Sequence, residues 1–240
     1  MEIQIAVAKT NKYAVSESGD TLEVVERPNG GMSVVLADGQ TSGRGAKVVS
    51  TMVVRKVIGL LAEGVRDGAA ARAASDHLYT ERYGKVSATL NILSADLQTG
   101  TLVITRNNPA PVFIAREDKI EMLDAESTAI GTSRNIRPAI TEIVLEGWTS
   151  IILYTDGVLH AGDRYGQKLD ICTLLESLLE DQNPSSQEIA DALLSQAIQL
   201  DQGRPNDDMS VVVLRVFPFE SDLIRRMNVR LPVIYNPPQI

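Results

Sequence analysis

Apolar residues recur in two rhythms along this chain. Near the start, Ile3, Ile5 and Val7 alternate with polar residues, the period of two that marks a strand. Residues 22–27 and 32–37 read as two further strands, joined by the turn cluster Pro28-Asn29-Gly30-Gly31. After Asp38-Gly39 the rhythm changes. Between residues 43 and 63, Val49, Met52, Val53, Val57, Leu60 and Leu61 share one face at three- and four-residue spacing, which predicts a helix. An Ala-rich helix follows over about 69–83. Strand patterns return at 86–95, 101–105, 111–116, 120–123 and 140–145, with Gln98-Thr99-Gly100 and Glu117-Asp118-Lys119 as hairpin turns. The β-branched run 150–154 stops at Thr155-Asp156-Gly157. Ile171, Leu174, Leu175, Leu178 and Leu179 form a helical stripe, and Ser185 with Glu188 is a capping box opening a helix to about Leu200. Residues 209–216, introduced by Asn206-Asp207-Asp208, make the last strand.

Nine or ten strands in meanders, with four helices in two pairs, predict an α+β fold of antiparallel sheets; alternating βαβ units are absent. The chain has 240 residues, enough for a substantial core, and its 44% hydrophobic and 22% charged residues are an ordinary globular balance with no linker dividing it. A net charge of −8 and only 4% aromatic residues argue against nucleic acid and against an anionic membrane surface, and are compatible with cationic ligands, metal ions included. The single cysteine, Cys172, allows no internal disulfide and points to a reducing cytoplasm; its neighbours Ile171, Leu174 and Leu175 predict a buried thiol. No secretory leader is expected, and no apolar run approaches the ~18 residues of a membrane span. Residues 217–240 differ from the rest: Arg225, Arg226 and Arg230 lie among Leu223, Ile224, Met227, Val229, Leu231 and Val233, ahead of Asn236-Pro237-Pro238. This basic, amphipathic extension either packs on its own domain or docks a partner or second copy.

The informative residues are acidic and stand at strand ends. Asp38 closes one apolar strand and Asp156 another, each followed by a glycine; Asp207 and Asp208 precede a third, and Asp20 precedes the second strand of the chain. One such aspartate alone is an ordinary turn former or helix cap. Several, on strands apolar enough to pack side by side, bring like charges together in a desolvated place, and a divalent cation is the usual compensation. Oxygen donors with no thiolate cluster and only two histidines select Mg²⁺ or Mn²⁺ over Zn²⁺. The glycine after each aspartate is expected to allow a sharp turn and a close carbonyl approach.

The ordered blocks Ala37-Asp38-Gly39-Gln40-Thr41-Ser42-Gly43, Val86-Ser87-Ala88-Thr89-Leu90, Tyr154-Thr155-Asp156-Gly157 and Asp207-Asp208-Met209-Ser210 resemble those of the PPM superfamily, the metal-dependent type-2C-like serine/threonine phosphatases, and within it the bacterial SpoIIE/RsbX branch. The resemblance spans about residues 15–216. It implies a four-layer αββα sandwich, two antiparallel sheets flanked by helix pairs, as a phosphatase domain over residues 1–216, with 217–240 as an extension. It implies two ions, Mn²⁺ or Mg²⁺. Asp38 would bridge them, the Gly39 carbonyl would bind the second, and Asp156 and Asp207 would complete the first. Asp20 would act through water, and Asp208 is a further candidate ligand. Asp38, Asp156 and Asp207 would thus carry catalysis, with a metal-bridging water attacking phosphorus and no nucleophilic side chain. The implied partner is a phosphorylated protein, a stressosome or anti-sigma-antagonist (STAS-type) regulator.

The chain departs from larger members of that family at Gln40-Thr41, where they carry His or Met, and it shows no clear counterpart of their phosphate-holding arginine; Lys9 and Lys12 do not declare themselves from sequence. His160, four residues after Asp156, reads as a local helix or loop residue or as a general acid; His77 reads as structural; Arg44 reads as a solvated arginine or a phosphate contact. The role of Asn107-Asn108-Pro109 is open. Competing with the phosphatase are a docking module that keeps the fold without activity, and a two-metal hydrolase of small phosphoesters.

Overall fold

Two central strands are buried along their whole length, and their side chains divide by parity. In β10 (Met209–Phe217), Val212, Leu214 and Val216 face one apolar cluster, while Met209, Val211 and Val213 face another. β9 (Thr149–Tyr154) divides the same way, Ile151 and Leu153 against Ile152 and Tyr154. A strand covered on both faces loses its polar alternation. Hence the centres of these segments, residues 211–214 and 151–153, read as unbroken apolar runs.

The computed structural model describes residues 1–116, 119–180, 183–219 and 222–232. Among them stand two five-stranded sheets. The first runs β1 (Glu2–Thr10), β10, β9, β6 (Val112–Arg116), β7 (Lys119–Leu123); the second runs β2 (Asp20–Glu26), β3 (Met32–Gly39), β4 (Ala88–Asp96), β5 (Thr101–Asn107), β8 (Ala139–Val144). All their pairings are antiparallel. The sheets face each other across Val34, Leu36, Leu93, Ile104, Ile114, Leu153 and Leu214. Helices α1 (Gly43–Ala62) and α2 (Asp67–Arg82) cover the outer face of the second sheet, packing on Val35, Ala37, Leu90 and Ile92. Helices α4 (Ile171–Glu180) and α5 (Ser186–Leu200) cover the first. The expected αββα sandwich of antiparallel sheets is the observed fold.

Local chemistry accounts for the element ends. The Ser185 side chain accepts from the Glu188 backbone N–H while the Glu188 carboxylate accepts from the Ser185 N–H at 2.6 Å, the reciprocal cap expected from the sequence. At the start of α2, Asp67 accepts from Arg27 and from Ser94, which ties the helix to the second sheet through a buried ion pair.

Three expectations change. Asp156 opens a one-turn helix, α3 (Asp156–Leu159), where a simple turn was expected. Val86 and Ser87 precede β4 because Ser87 pairs with Gln40 outside the ladder. Cys172 is only partly buried, with its thiol raised by burial and by Asp170 and Glu176. Of the C-terminal extension, Phe219 packs edge-on against Trp148 at 5.4 Å between ring centroids, and Arg225 pairs with Glu26 at 3.2 Å. Leu223, Val229 and Leu231 stand exposed. Glu117, Asp118, Val233, Asn236, Pro237 and Pro238 lie outside the described residues.

Leu93 is wholly buried between the sheets. Leu93→Ala is expected to cost about 2–5 kcal/mol, against about 1 kcal/mol for Ser185→Ala, both read from urea unfolding with an unchanged m-value.

Candidate active site

The antiparallel order brings four strand ends to one edge of the sandwich. β3 ends there with Asp38 and Gly39, β9 ends there just before Asp156, β2 begins there at Asp20, and β10 begins there after Asp208. Asp20 and Asp38 are direct cross-strand partners. Asp38, Gly39, Asp156 and Asp207 line one cavity of about 360 Å³, together with Lys12, Gln40, Ser87 and Thr89. Three of the carboxylates named from sequence thus share a cavity, and Asp20 lies directly behind Asp38.

Asp20 is fully buried. Its Oδ2 accepts from Ser210 Oγ at 2.6 Å and from Thr155 Oγ1 at 3.1 Å, while its Oδ1 has no hydrogen-bond partner. Lys9 and Lys47 both donate to its backbone carbonyl, at 2.7 and 2.8 Å. Burial pushes the Asp20 carboxyl up from its ordinary value, with Asp208 adding to the rise. Asp38 is pushed up to about 10, first by burial and then by the charges of Asp20 and Asp156. Burial also raises Asp207, reinforced by Asp156 and Asp208.

Asp208 does something else. Its Oδ1 accepts from the Lys12 N–H at 2.9 Å and its Oδ2 from the Gly19 N–H at 2.8 Å. Both oxygens therefore serve the backbone of the segment linking β1 to β2, and hold it against the start of β10.

The two Asp-Gly glycines are required for space. Neither takes a left-handed backbone. A Cβ on Gly39 would stand 2.1 Å from the Ala46 carbonyl oxygen, and one on Gly157 would stand 2.1 Å from that of Asp208. The turn comes later, at Thr41, with φ +80. A β-branched residue there stores about 1–3 kcal/mol of backbone strain at the cavity rim.

Sequence reasoning passed over several residues here. Lys12 enters the cavity from the segment after β1, with no motif around it. Thr155 and Ser210 were inside recognised blocks, and the hint to their role was their place beside the acidic residues. The Asn107-Asn108-Pro109 loop now has a function: the Asn108 amide donates to the Tyr154 carbonyl at 3.4 Å, steadying β9 just before Asp156. His160 pairs with Asp163 at 2.9 Å on the surface and does not line the cavity. His77 lies on α2, half-buried.

The donors fit a hard divalent cation. They are oxygens only, they include a buried carboxylate oxygen without a partner, and they gather more negative charge than the buried site can hold uncompensated. Among the described residues, no three His, Cys, Asp or Glu side chains converge on one point as a ready cage. The fit is one of donor chemistry and shared cavity.

The family model described as stage II sporulation protein E (SpoIIE) matches residues 28–217. Over 214 residues the chain is 23% identical to the stage II sporulation protein E of Priestia megaterium, an alignment covering 89% of this chain and 36% of that protein. The chain thus spans about a third of that relative's length. Among solved structures, it superposes on the PP2C phosphatase domain with a fragment of the regulatory domain of SpoIIE from Bacillus subtilis with a TM-score of 0.77 at 22% identity, covering 90% of this chain and 63% of that one. It superposes on RsbX in complex with magnesium with a TM-score of 0.66 at 16% identity, covering 88% and 94%.

Two outcomes follow from the crowding at this edge. Gly39→Ala is expected to lose about 1–3 kcal/mol in urea unfolding, because backbone on both sides has to shift. In EDTA, folded Asp38 keeps a proton that the unfolded chain releases above about pH 4, so stability falls as pH rises from acid through neutrality. Melting curves of wild type against Asp38→Asn check this, the variant showing the flatter pH dependence.

Proposed function

The chain belongs to the stage II sporulation protein E family, and from that premise we propose that it is a metal-dependent serine/threonine protein phosphatase. The observation that carries the reading is the set of carboxylates Asp38, Asp156 and Asp207 lining one cavity, with the buried, half-unpartnered Asp20 behind them. The substrate in this reading is a phosphoserine or phosphothreonine on a bacterial signalling protein, of the stressosome or STAS type.

Two Mn²⁺ or Mg²⁺ ions would be held by Asp38, by the Gly39 carbonyl and by Asp156 and Asp207, with Asp20 acting through water. When bound, the ions supply Lewis acidity, which makes a water nucleophilic near neutral pH and neutralises phosphoryl oxygens. The chain's own residues do the rest. Asp38 carries the charge that the cations balance. Thr155 and Ser210 fix Asp20, and the Asp208 carboxylate secures the backbone of Lys12, which lines the cavity and would give the phosphate a further positive contact. Water adds to phosphorus, the ester P–O bond breaks, and the serine or threonine oxygen leaves and takes up a proton. No side chain becomes phosphorylated. In this reading Asp208 serves as a backbone tether, while Asp207, next to it, faces the ions.

No helix among the described residues is long and apolar enough to cross a membrane. A cytoplasmic site of action remains part of the proposal, as does the division into a phosphatase domain over 1–216 and an extension over 217–240.

Phosphate release from a phosphoserine or phosphothreonine protein, followed with Mn²⁺, with Mg²⁺ and with EDTA, tests the reading. Release is expected to need the cation and to drop at least about a hundredfold in Asp38→Asn, the scale of losing a group that stabilises transition-state charge. Release at the wild-type rate by Asp38→Asn would sink the assignment. A metal-loaded protein that releases nothing from any phosphoester favours the docking module.

A further inference from the structure

Beside the acidic cavity lies a groove of the opposite charge. It has a volume of about 590 Å³, and Gln40 and Thr41 belong to the walls of both. Its other walls come from the first turns of α1, which bring Arg44 and Val48, and from the end of α2 with the loop after it, which bring Arg82 and Lys85. Three cations thus gather in one groove on a chain whose net charge is −8.

These cations are unspent. The ion pairs among the described residues involve Arg27, His160, Arg225 and Arg226, and none involves Arg44, Arg82 or Lys85. The Arg82 Nε is buried and has no hydrogen-bond partner. The Arg82 guanidinium thus has donors that no acceptor in the described chain engages, and a carboxylate reaching its terminal nitrogens would form charge-assisted hydrogen bonds. The groove is also built to stay open beside the cavity. The Gln40 N–H donates to the Ser87 carbonyl and the Ser87 N–H donates to Gln40 Oε1, both at 2.9 Å, which clamps the loop after α2 to the end of β3. Val48, 47% exposed, offers an apolar wall next to the charges.

We propose that this groove binds an acidic segment of the phosphorylated partner, one that flanks the phosphorylated residue and carries an apolar side chain against Val48. The proposal rests on the phosphatase reading and names its substrate class. Charge complementarity selects the occupant. A nucleic acid would need a longer basic track and aromatic platforms, and it would run into the carboxylates of the adjoining cavity. A short acidic segment meets only the groove, and it aligns itself with the phosphoryl group directed at the metal side of Gln40 and Thr41. Opposite potentials side by side fix the direction in which the chain of the partner lies and raise its rate of encounter.

The test compares two phosphothreonine peptides with the same central residue, one flanked on both sides by Glu-Asp-Glu and the other by Gln-Asn-Gln. Wild type in Mn²⁺ is expected to show a KM about five- to tenfold lower for the acidic peptide, from the modest worth of each exposed charge pair, and to lose that preference at high salt. Arg82→Ala/Lys85→Ala is expected to raise KM for the acidic peptide to that of the neutral one, with kcat and the turnover of a small chromogenic phosphoester unchanged. Lys85→Glu, altering an exposed side chain only, should act in the same direction. Equal KM values for the two peptides in wild type, or a preference that survives both variants, would overturn the proposal. If wild type hydrolyses neither peptide nor the small ester, the phosphatase reading fails separately. The groove is then judged by fluorescence anisotropy of the unphosphorylated acidic peptide: binding lost in Lys85→Glu upholds it, and no binding to wild type ends it.

Discussion

Everything at the working edge of this molecule depends on holding like charges together. Asp38 and Asp20 face each other across a strand pair, with Asp156 and Asp207, just beyond the strand ends of the other sheet, at the same edge, and Asp38, Asp156 and Asp207 lining one cavity. Left to themselves in water such carboxylates would separate. The two sheets prevent this because the centre of their contact face is apolar and close-packed, and a strand end cannot withdraw without pulling Leu36, Leu153 or Leu214 out of the shared core. Burial of the strands therefore sets the spacing of the charges, and the raised Asp38 and Asp207 carboxyls reflect that burial first and the neighbouring charges second.

The antiparallel α+β class was legible in the sequence pattern, while the layering into a sandwich came from the family resemblance. Apolar runs at the centres of β9 and β10, with helices whose apolar faces repeat at three and four grouped in pairs between meanders of strands, point to antiparallel sheets with helices packed on them. The acidic strand ends were legible for a similar reason, since a charged residue that closes an apolar run stands out. What could not be read was distant contact. Nothing in the residues around Gly157 announces the carbonyl of Asp208, 51 positions later, that makes a side chain impossible there. The same holds for Lys9 and Lys47, which meet at the Asp20 carbonyl from a strand and a helix far apart in sequence. Glycine after aspartate suggested a turn; the structure uses it for clearance.

Polar support of the site follows a consistent division. Short hydroxyl side chains, Thr155 and Ser210, satisfy one oxygen of the buried carboxylate and leave the other without a partner. Backbone N–H groups engage Asp208 fully, while the loop amide of Asn108 steadies the strand just before Asp156. Asp208 is engaged at both oxygens, whereas Asp20 keeps one oxygen without a partner. A buried carboxylate oxygen without a partner is costly, so Asp20 Oδ1 beside the cavity is a sign that this place completes its bonding with something from outside the chain.

The same logic extends across Gln40 and Thr41 to the basic groove. An acidic protein could have neutralised Arg44, Arg82 and Lys85 with any of its 31 carboxylates, yet none among the described residues stands within ion-pair distance of them. The acidic cavity and the basic groove share a wall, which brings two opposite uncompensated charges into adjacency without letting them cancel. In the proposed reading a cation completes the first and an anion completes the second. A phosphorylated segment with acidic neighbours, arriving at a metal-loaded cavity, is a single ligand that satisfies both at once, and it can do so in only one orientation.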